Sequence, residues 1–310
     1  MTDGKSLKLL SICSSFGKNT TELLYDVGIA QGYDNVTVAR LYASGCTLQE
    51  HANNAQNPEN KFYQYTRISN IPNDIAYGIK WKLITQSVKD GGVDGASLSE
   101  VLAEDWDIIL LQQSAAQAPR QDTYEDYIDT IMDYLKEKQP NAKFVWNMLW
   151  AYDQNSDKSP FSTIFNRNQM AMYQSNVDAT VRKIVPRADI HRIIPTGTVI
   201  QNARSYYGDA LCQDTFHLNN YGGVLAAYGL YATLIGKELT HSSMNLDSDY
   251  WYKATINNGI SGAGGRIILT DQDKNIFIEA INNALRDPFH VTRTKYQNNH
   301  IKHPLQPPRM

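Results

Sequence analysis

The sequence predicts a three-layer α/β sandwich around a parallel sheet of five strands. Short apolar segments typical of buried strands recur along the chain, and segments with helical periodicity separate them. The chain opens as strand–helix–strand, an order that favours parallel pairing with helices on both faces of the sheet. The composition is that of a globular protein, because 42% of the 310 residues are hydrophobic and 20% are charged.

The predicted strands are short, apolar and bounded by turn residues. They cover residues 8–12, 36–41, 107–111, 143–148 and 190–194. The predicted helices carry an apolar residue at every third or fourth position. They cover residues 20–31, 97–104, 123–139, 166–185, 196–206, 223–235 and 270–285. Thr20 or Thr21 can cap the first helix, and Pro140 and Pro186 end two others, because proline cannot continue a helix.

One segment departs from this alternation. Over residues 61–84, apolar residues recur at every second position around Pro72, which predicts an inserted antiparallel hairpin. Residues 1–239, with this insertion, are predicted to form one domain that is large enough to be an enzyme. Residues 240–286 are expected to add an irregular loop, at 240–265, and a terminal helix that packs on the domain. Residues 287–310 show little apolar periodicity and are expected to form an extended tail.

The charge balance argues against two classes of partner. Lys and Arg number 29 against 32 Asp and Glu, a net charge of −3, which gives no electrostatic reason to expect nucleic acid or an anionic membrane. No apolar run approaches the roughly 20 residues that span a bilayer. The first eight residues lack the apolar core of a signal peptide, so the chain is expected to stay where it is made unless a leader was trimmed. The compartment therefore stays open.

Two motifs at the ends of predicted elements can carry nucleophilic chemistry. Asp214 precedes His217 by three residues on a loop entering a helix, so the carboxylate can hold the imidazole ring N–H and fix its tautomer. An ordinary surface pair is the simpler alternative. Ser15 follows the first strand and precedes a helix, whose N-terminal amides favour developing negative charge. A plain turn serine is the alternative here.

Further N–H donors follow the second and third strands. Gly45 lets the backbone approach a ligand closely, and the amides of Gln112 and Gln113 stand at the end of the third strand. The carboxyl ends of parallel strands meet at one edge of a sheet. These donors are therefore expected to lie near Ser15, Asp214 and His217.

Together these features resemble the SGNH (GDSL-type) hydrolase superfamily, in particular an uncharacterised branch of it related to carbohydrate esterases. The matching motifs span roughly residues 8–236. They are Ile-Cys-Ser-Ser-Phe at 12–16, Leu-Gln-Gln at 111–113, Trp-Ala-Tyr at 150–152 and Asp-Thr-Phe-His at 214–217. The resemblance implies a flavodoxin-like order of the five parallel strands.

The resemblance also implies a role for each matching position. Ser15 would be the nucleophile, His217 the general base and Asp214 the partner that orients the base. The oxyanion hole would be formed by N–H donors from Ser15, Gly45 and one of Gln112 or Gln113. The expected substrate is an ester of an acetyl or similar acyl group on a carbohydrate, and neither a metal nor an organic cofactor is needed. The cysteines have no metal-ligand spacing and are interpreted as buried fillers; they are Cys13, Cys46 and Cys212.

The aromatic content suits a sugar ligand. The chain has 19 Tyr and 5 Trp, and Trp150 and Tyr152 are candidates for lining a substrate cleft, with packing as the alternative. The family's Gly-Asn before the nucleophile is Cys13-Ser14 here. That departure leaves open a catalytically weak or idle glycan-binding or structural module. Such a module could form an oligomer or a larger assembly, such as a viral surface, through the C-terminal tail.

Overall fold

The carboxyl ends of five parallel strands form one edge of a mixed sheet. The structure, a computed structural model, describes residues 5–246 and 269–296. Its strands are β1 (Ser6–Cys13), β2 (Asn35–Tyr42), β3 (Gln64–Ser69), β4 (Lys82–Thr85), β5 (Ile108–Leu111), β6 (Lys143–Asn147) and β7 (Arg192–Ile194). They lie in the order β4-β3-β2-β1-β5-β6-β7. The four neighbouring pairs β2–β1, β1–β5, β5–β6 and β6–β7 are all parallel. This order of five parallel strands confirms the predicted flavodoxin-like sheet.

Helices cover both faces of the sheet. Within the described residues they are α1 (Ser15–Thr21), α2 (Leu24–Ala30), α3 (Leu48–Gln56), α4 (Leu98–Val101), α5 (Tyr127–Lys138), α6 (Gln169–Lys183), α7 (Thr196–Tyr207), α8 (Asn220–Ile235) and α9 (Asp271–Arg286). Leu9 and Leu10 are neighbours on β1 and point to opposite faces, where they join two separate apolar cores. This arrangement confirms the predicted three layers.

The helix predicted at 20–31 is two helices in the structure. α1 begins at Ser15, directly after β1, and α2 follows a break at Leu23. Thr20 and Thr21 do not cap it, because their hydroxyls donate to the carbonyl oxygens of Phe16 and Gly17 at 3.0 and 2.8 Å inside α1. The earlier start places Ser15 at the first position of a helix.

The helix α3 was not predicted from the sequence. Its residues are mostly polar, and only Leu48, Ala52 and Ala55 contribute apolar burial. The signal was at its N-terminus, where the Thr47 hydroxyl accepts from the Glu50 N–H at 3.2 Å and the Glu50 carboxylate accepts from the Thr47 N–H at 2.9 Å. This is a capping box, readable as Thr-x-x-Glu.

The inserted hairpin is β3 and β4, which pair antiparallel and extend the sheet beyond β2. Their connection, residues 70–81, contains Pro72 and is longer than a simple hairpin turn. Asp74 in this connection accepts from Arg67 Nε at 2.9 Å. Trp81 at its end lies over the buried guanidinium of Arg40, 3.3 Å from the ring centroid. Trp81 Nε1 also donates to the carbonyl oxygen of Glu22, between α1 and α2, at 3.1 Å, so the insertion covers this flank.

The C-terminal segment packs on the domain as far as it is described. α9 lies against α7 and α8. Residues 287–296 then run back along α7, where the N–H of Thr292 donates to Asn202 Oδ1 at 2.7 Å and the N–H of Thr294 donates to Ser205 Oγ at 3.0 Å. Most of the loop predicted at 240–265, and the tail after Tyr296, lie outside the described residues. Within the described ranges, no helix has both the length and the apolar character needed to cross a bilayer.

Candidate active site

A single carboxylate holds both the backbone and the ring of His217. Asp214 Oδ1 accepts from the His217 backbone N–H at 2.8 Å, and Asp214 Oδ2 lies 2.7 Å from His217 Nδ1. Thr215 between them adopts a positive φ of 70°, which closes the turn tightly. Burial acts to raise the pKa of Asp214, but the hydrogen bonds from His217 outweigh it and hold this pKa below its usual range. Because an ionised carboxylate only accepts, Nδ1 carries the proton and Nε2 is free to accept one.

The segment that carries His217 lies against α1. The Leu218 N–H donates to Asn19 Oδ1 at 3.3 Å, and the rings of Phe16 and His217 have centroids 5.8 Å apart. Asn19 lies four residues after Ser15, on the same face of α1. The structure therefore brings the loop of Asp214 and His217 to the helix that begins with Ser15.

The two serines at the start of α1 have different surroundings. Ser14 is 1% exposed, and its Oγ accepts from Gln112 Nε2 at 3.0 Å. Ser15 is half-buried, and its hydroxyl has no hydrogen bond to any described residue. Ser15 is therefore the one of the two whose hydroxyl can react with a ligand.

No hydrogen bond joins Ser15 to His217 in the structure. In the described part of the chain, His217 Nε2 is enclosed and has no hydrogen-bond partner. Hydrogen bonds between catalytic groups are often long in unliganded enzymes and shorten when substrate binds. Nε2 of His217 can therefore accept a hydrogen bond from a hydroxyl group, and none of the described residues provides one in this structure.

Gly45 lies on the loop between β2 and α3, at the same edge of the sheet. The N–H of Ala43 donates to the carbonyl oxygen of Cys13 at 3.3 Å, which ties this loop to the end of β1. Gly45 has a φ of 57°, a conformation that favours glycine, and the space beside its Cα is open. Among the residues that the structure describes, its N–H has no acceptor, so it is free to donate to a ligand.

Gln113 is fully engaged in holding loops together. Its Oε1 accepts from the N–H groups of Leu48 and Ser114 at 2.9 and 2.8 Å. Its Nε2 donates to the carbonyl oxygen and the hydroxyl of Thr123 at 2.9 and 3.1 Å. With both N–H groups used, Gln113 has no donor left for a ligand, and its contact with Leu48 fixes the loop that carries Gly45.

Gln112 belongs to a buried polar network under α1. Its Oε1 accepts from Asn147 Nδ2 at 3.2 Å, and one N–H of its Nε2 goes to Ser14. The Thr196 hydroxyl donates to Asn147 Oδ1 at 2.6 Å. The network joins the ends of β5, β6 and β7 to the start of α1, and within the described residues it leaves the second N–H of Gln112 without an acceptor. Asn147 was not predicted as a site residue, because its only signal in the sequence is that of a polar residue ending an apolar strand.

Trp150 and Tyr152 lie behind the site. The ring of Trp150 is fully buried and stacks on Phe16, with centroids 4.0 Å apart and planes 3° apart. Its Nε1 donates to the carbonyl oxygen of Phe216 at 2.8 Å, and Tyr152, which is 3% exposed, packs on the same Phe216 at 5.6 Å. Neither ring has an open face for a sugar. The half-buried ring of Phe216, 4.0 Å from the His217 ring, is the aromatic group nearest the base, and the sequence did not single it out.

The three cysteines are free thiols set among packed residues. Burial raises the pKa of each of these thiols, and the residues are Cys13, Cys46 and Cys212. Over residues 5–246 and 269–296, no group of three or more His, Cys, Asp or Glu side chains is placed to hold a metal ion.

The sheet order and the polar groups at its carboxyl edge define an α/β/α protein consistent with the fold of the SGNH hydrolases. A profile of DUF4886, a domain of unknown function, matches residues 8–257, and the chain belongs to this family. This match confirms the predicted membership of an uncharacterised family. No curated protein matches the sequence.

One solved structure of the same family repeats this architecture, and two others are more distantly similar. A DUF4886 family protein from Bacteroides uniformis ATCC 8492 is 25% identical, with a TM-score of 0.71 over 93% of this chain and 98% of that one. A protein of Slackia heliotrinireducens, described as a proposed SGNH hydrolase, is 16% identical with a TM-score of 0.45 over 74% of this chain and all 100% of its own. A variant of an acetyl-xylooligosaccharide esterase from Geobacillus stearmophilus is 12% identical, with a TM-score of 0.43 over 76% and 96%.

Proposed function

We propose that this protein is a serine esterase that hydrolyses acyl esters through Ser15, His217 and Asp214. The observation that carries the proposal is the state of the His217 ring. Its Nδ1 is held by Asp214 at 2.7 Å, while its Nε2 is enclosed beside the helix that begins with Ser15 and has no hydrogen-bond partner among the described residues. A ring held in this way has one nitrogen ready to accept a proton from a hydroxyl.

The reaction follows from these groups. His217 Nε2 takes the proton of Ser15 as its Oγ bonds to the ester carbonyl carbon, and the carbonyl oxygen becomes an oxyanion. The N–H groups of Ser15 and Gly45 and the second N–H of Gln112 are the donors available to that oxyanion. The intermediate then releases the alcohol, which receives the proton from His217. Water, deprotonated by the same ring, hydrolyses the acyl-enzyme.

A carbohydrate alcohol is the proposed leaving group. This part of the proposal rests on the SGNH resemblance and on Phe216, whose half-buried ring lies beside His217 and can pack against a sugar. The leaving oxygen must reach His217 to be protonated. A sugar bearing that oxygen would therefore lie next to Phe216.

An active-site probe tests the nucleophile directly. The wild-type protein is expected to be labelled once by a fluorophosphonate, at the peptide that contains Ser15, and Ser15→Ala is expected to remain unlabelled. Ser175→Ala, on α6, is the matched control and should label like the wild type. If the wild-type protein binds a glycan but is not labelled, the alternative of a catalytically inactive glycan-binding module would be favoured.

Turnover tests the reaction class. Acetate release from 4-nitrophenyl acetate and from acetylated xylooligosaccharides is expected for the wild type and for Ser175→Ala. Removing the nucleophile of a serine hydrolase costs on the order of 10⁶-fold in kcat, so Ser15→Ala should fall to background. Equal rates for Ser15→Ala and the wild type would end this assignment.

A further inference from the structure

Two side chains of α1 project to opposite flanks of Ser15. Successive residues of a helix are about 100° apart, so Phe16 and Lys18 are separated by about 200° around α1. Phe16 faces Trp150 and His217. Lys18 faces the end of β2, where its Nζ lies 5.5 Å from the centroid of the Tyr42 ring. Lys18 is also one helical turn from Ser15, within reach of the same ligand.

The Lys18 ammonium has no carboxylate beside it in the described residues. Of the nearby acids, Glu22 pairs with Arg40 at 2.9 Å, and Asp90 accepts from the N–H of Ser44 at 3.1 Å. Burial, and then the charge of Arg40, lower the pKa of Lys18. A cation partly removed from water and lacking a counterion is stabilised when an anion binds it.

The positions of His217 and Gly45 indicate which part of an ester would meet Lys18. The leaving alcohol must lie by His217, on the Phe16 flank, because His217 protonates it. Lys18 contacts Tyr42, the last residue of β2, and Gly45 follows three residues later, so both lie on the β2 side of Ser15. The substituents of a carbonyl carbon diverge, so the acyl chain points away from the leaving oxygen and can extend along the Lys18 flank, opposite His217.

We propose that Lys18 binds a carboxylate at the far end of the acyl group, so that the preferred substrates are half-esters of short dicarboxylic acids such as succinate. This inference rests on the proposed function for the direction of the substrate. Lys18 supplies the charge, and the Tyr42 ring supports the lysine side chain from the strand side.

The kinetic test compares succinyl and butanoyl esters of the same methyl glucoside. Lys18→Met is expected to lower kcat/KM for the succinyl ester about tenfold, mainly through KM, since tenfold corresponds to about 1.4 kcal/mol. Its rate on the butanoyl ester should stay within about twofold, because a neutral chain makes no ion pair. Lys89→Met is the matched control, because Lys89 lies near the same rim but pairs with Glu50. Equal effects of Lys18→Met on both esters would overturn the proposal.

Two further measurements test whether Lys18 binds a carboxylate on the acyl group or on the alcohol, and whether it does so without turnover. An acetyl ester of a glucuronide carries its carboxylate on the alcohol, and a loss confined to that substrate would also overturn the assignment to the acyl group. Binding of free succinate against butyrate to Ser15→Ala is measured by calorimetry and does not depend on turnover. Succinate binding that disappears in the Ser15→Ala, Lys18→Met double variant supports the inference even where no ester is hydrolysed. Equal affinity for both acids contradicts it.

Discussion

The N–H of Leu218 donates to Asn19 Oδ1 at 3.3 Å, and this contact fastens the loop of His217 to α1. The two residues are far apart in the chain, but each lies within one helical turn of a proposed catalytic residue: Asn19 is four positions after Ser15, and Leu218 directly follows His217. This acceptor therefore helps to set the distance between nucleophile and base, together with the contact between the Phe16 and His217 rings.

Replacing that acceptor should reduce turnover. Asn19→Ala removes the acceptor for Leu218, and a lost hydrogen bond of about 1 kcal/mol corresponds to roughly a fivefold lower kcat. Asn19→Asp keeps an oxygen at the same place and should retain most of the activity. Steady-state kinetics with thermal unfolding checks both. An Asn19→Asp variant as slow as Asn19→Ala at equal melting temperature would contradict this role.

The hydrogen bonds of Gln113 should contribute to the stability of the fold. Gln113→Leu leaves the buried N–H groups of Leu48 and Ser114 without an acceptor, which should lower the free energy of unfolding by on the order of 3 kcal/mol. Gln49→Leu, at an exposed position of α3, is the matched control and should change it by less than about 0.5 kcal/mol. Urea unfolding measures both. Similar values for the two variants would show that the Gln113 bonds contribute little.

The parallel sheet could be predicted because its strands are largely apolar runs, whereas apolar periodicity does not indicate α3. Only a few apolar residues of α3 face the core, so tertiary packing and its capping box define this helix rather than periodicity. The hairpin could be predicted from its alternation. Its long connection could not, because the contact of Trp81 with Arg40 joins distant segments.

The part of the site formed by residues close together in the sequence could be predicted. Asp214 and His217 meet because they are three residues apart, but Asp287 and His290 make the same pair at 2.7 Å on the exposed C-terminal segment. An Asp-x-x-His pair by itself therefore does not identify a catalytic site. The pair of Asp214 and His217 differs because it lies against α1, the helix that begins with Ser15. Gln112 and Gln113 could not be told apart in the sequence. Adjacent residues of an extended chain point to opposite faces, so one meets Ser14 and the other Leu48.

This second pair provides a control for the role of Asp214. Asp214→Asn offers one acceptor oxygen to the two donors of His217, so its NH₂ group would face the ring and favour the tautomer protonated at Nε2. Such a ring cannot accept the Ser15 proton, and kcat should fall by about 10³–10⁴-fold. Asp287→Asn should leave the rate unchanged. A loss in Asp214→Asn of less than tenfold, with its fold intact, would count against His217 as the base.

Asp26 on α2 predicts how stability depends on pH. Its side chain is 2% exposed, and burial raises its pKa to about 7 although Lys80 Nζ lies 3.4 Å away. An unfolded aspartate has a pKa of about 3.9, so between these values the folded chain binds the proton and the unfolded chain does not. The free energy of unfolding contributed by Asp26 is therefore greatest below about pH 4 and is lost as the pH rises towards 7.

Asp26→Asn removes this titration while keeping the shape of the side chain. Relative to the wild type, the variant should gain stability as the pH rises from 4 to 7, and the difference should level off above pH 8 because the wild-type carboxyl is then ionised in both states. Urea unfolding of both proteins across pH 4–8 measures the difference directly. Parallel curves would mean that Lys80, rather than burial, sets the charge of Asp26, and that this carboxyl is ionised throughout the range.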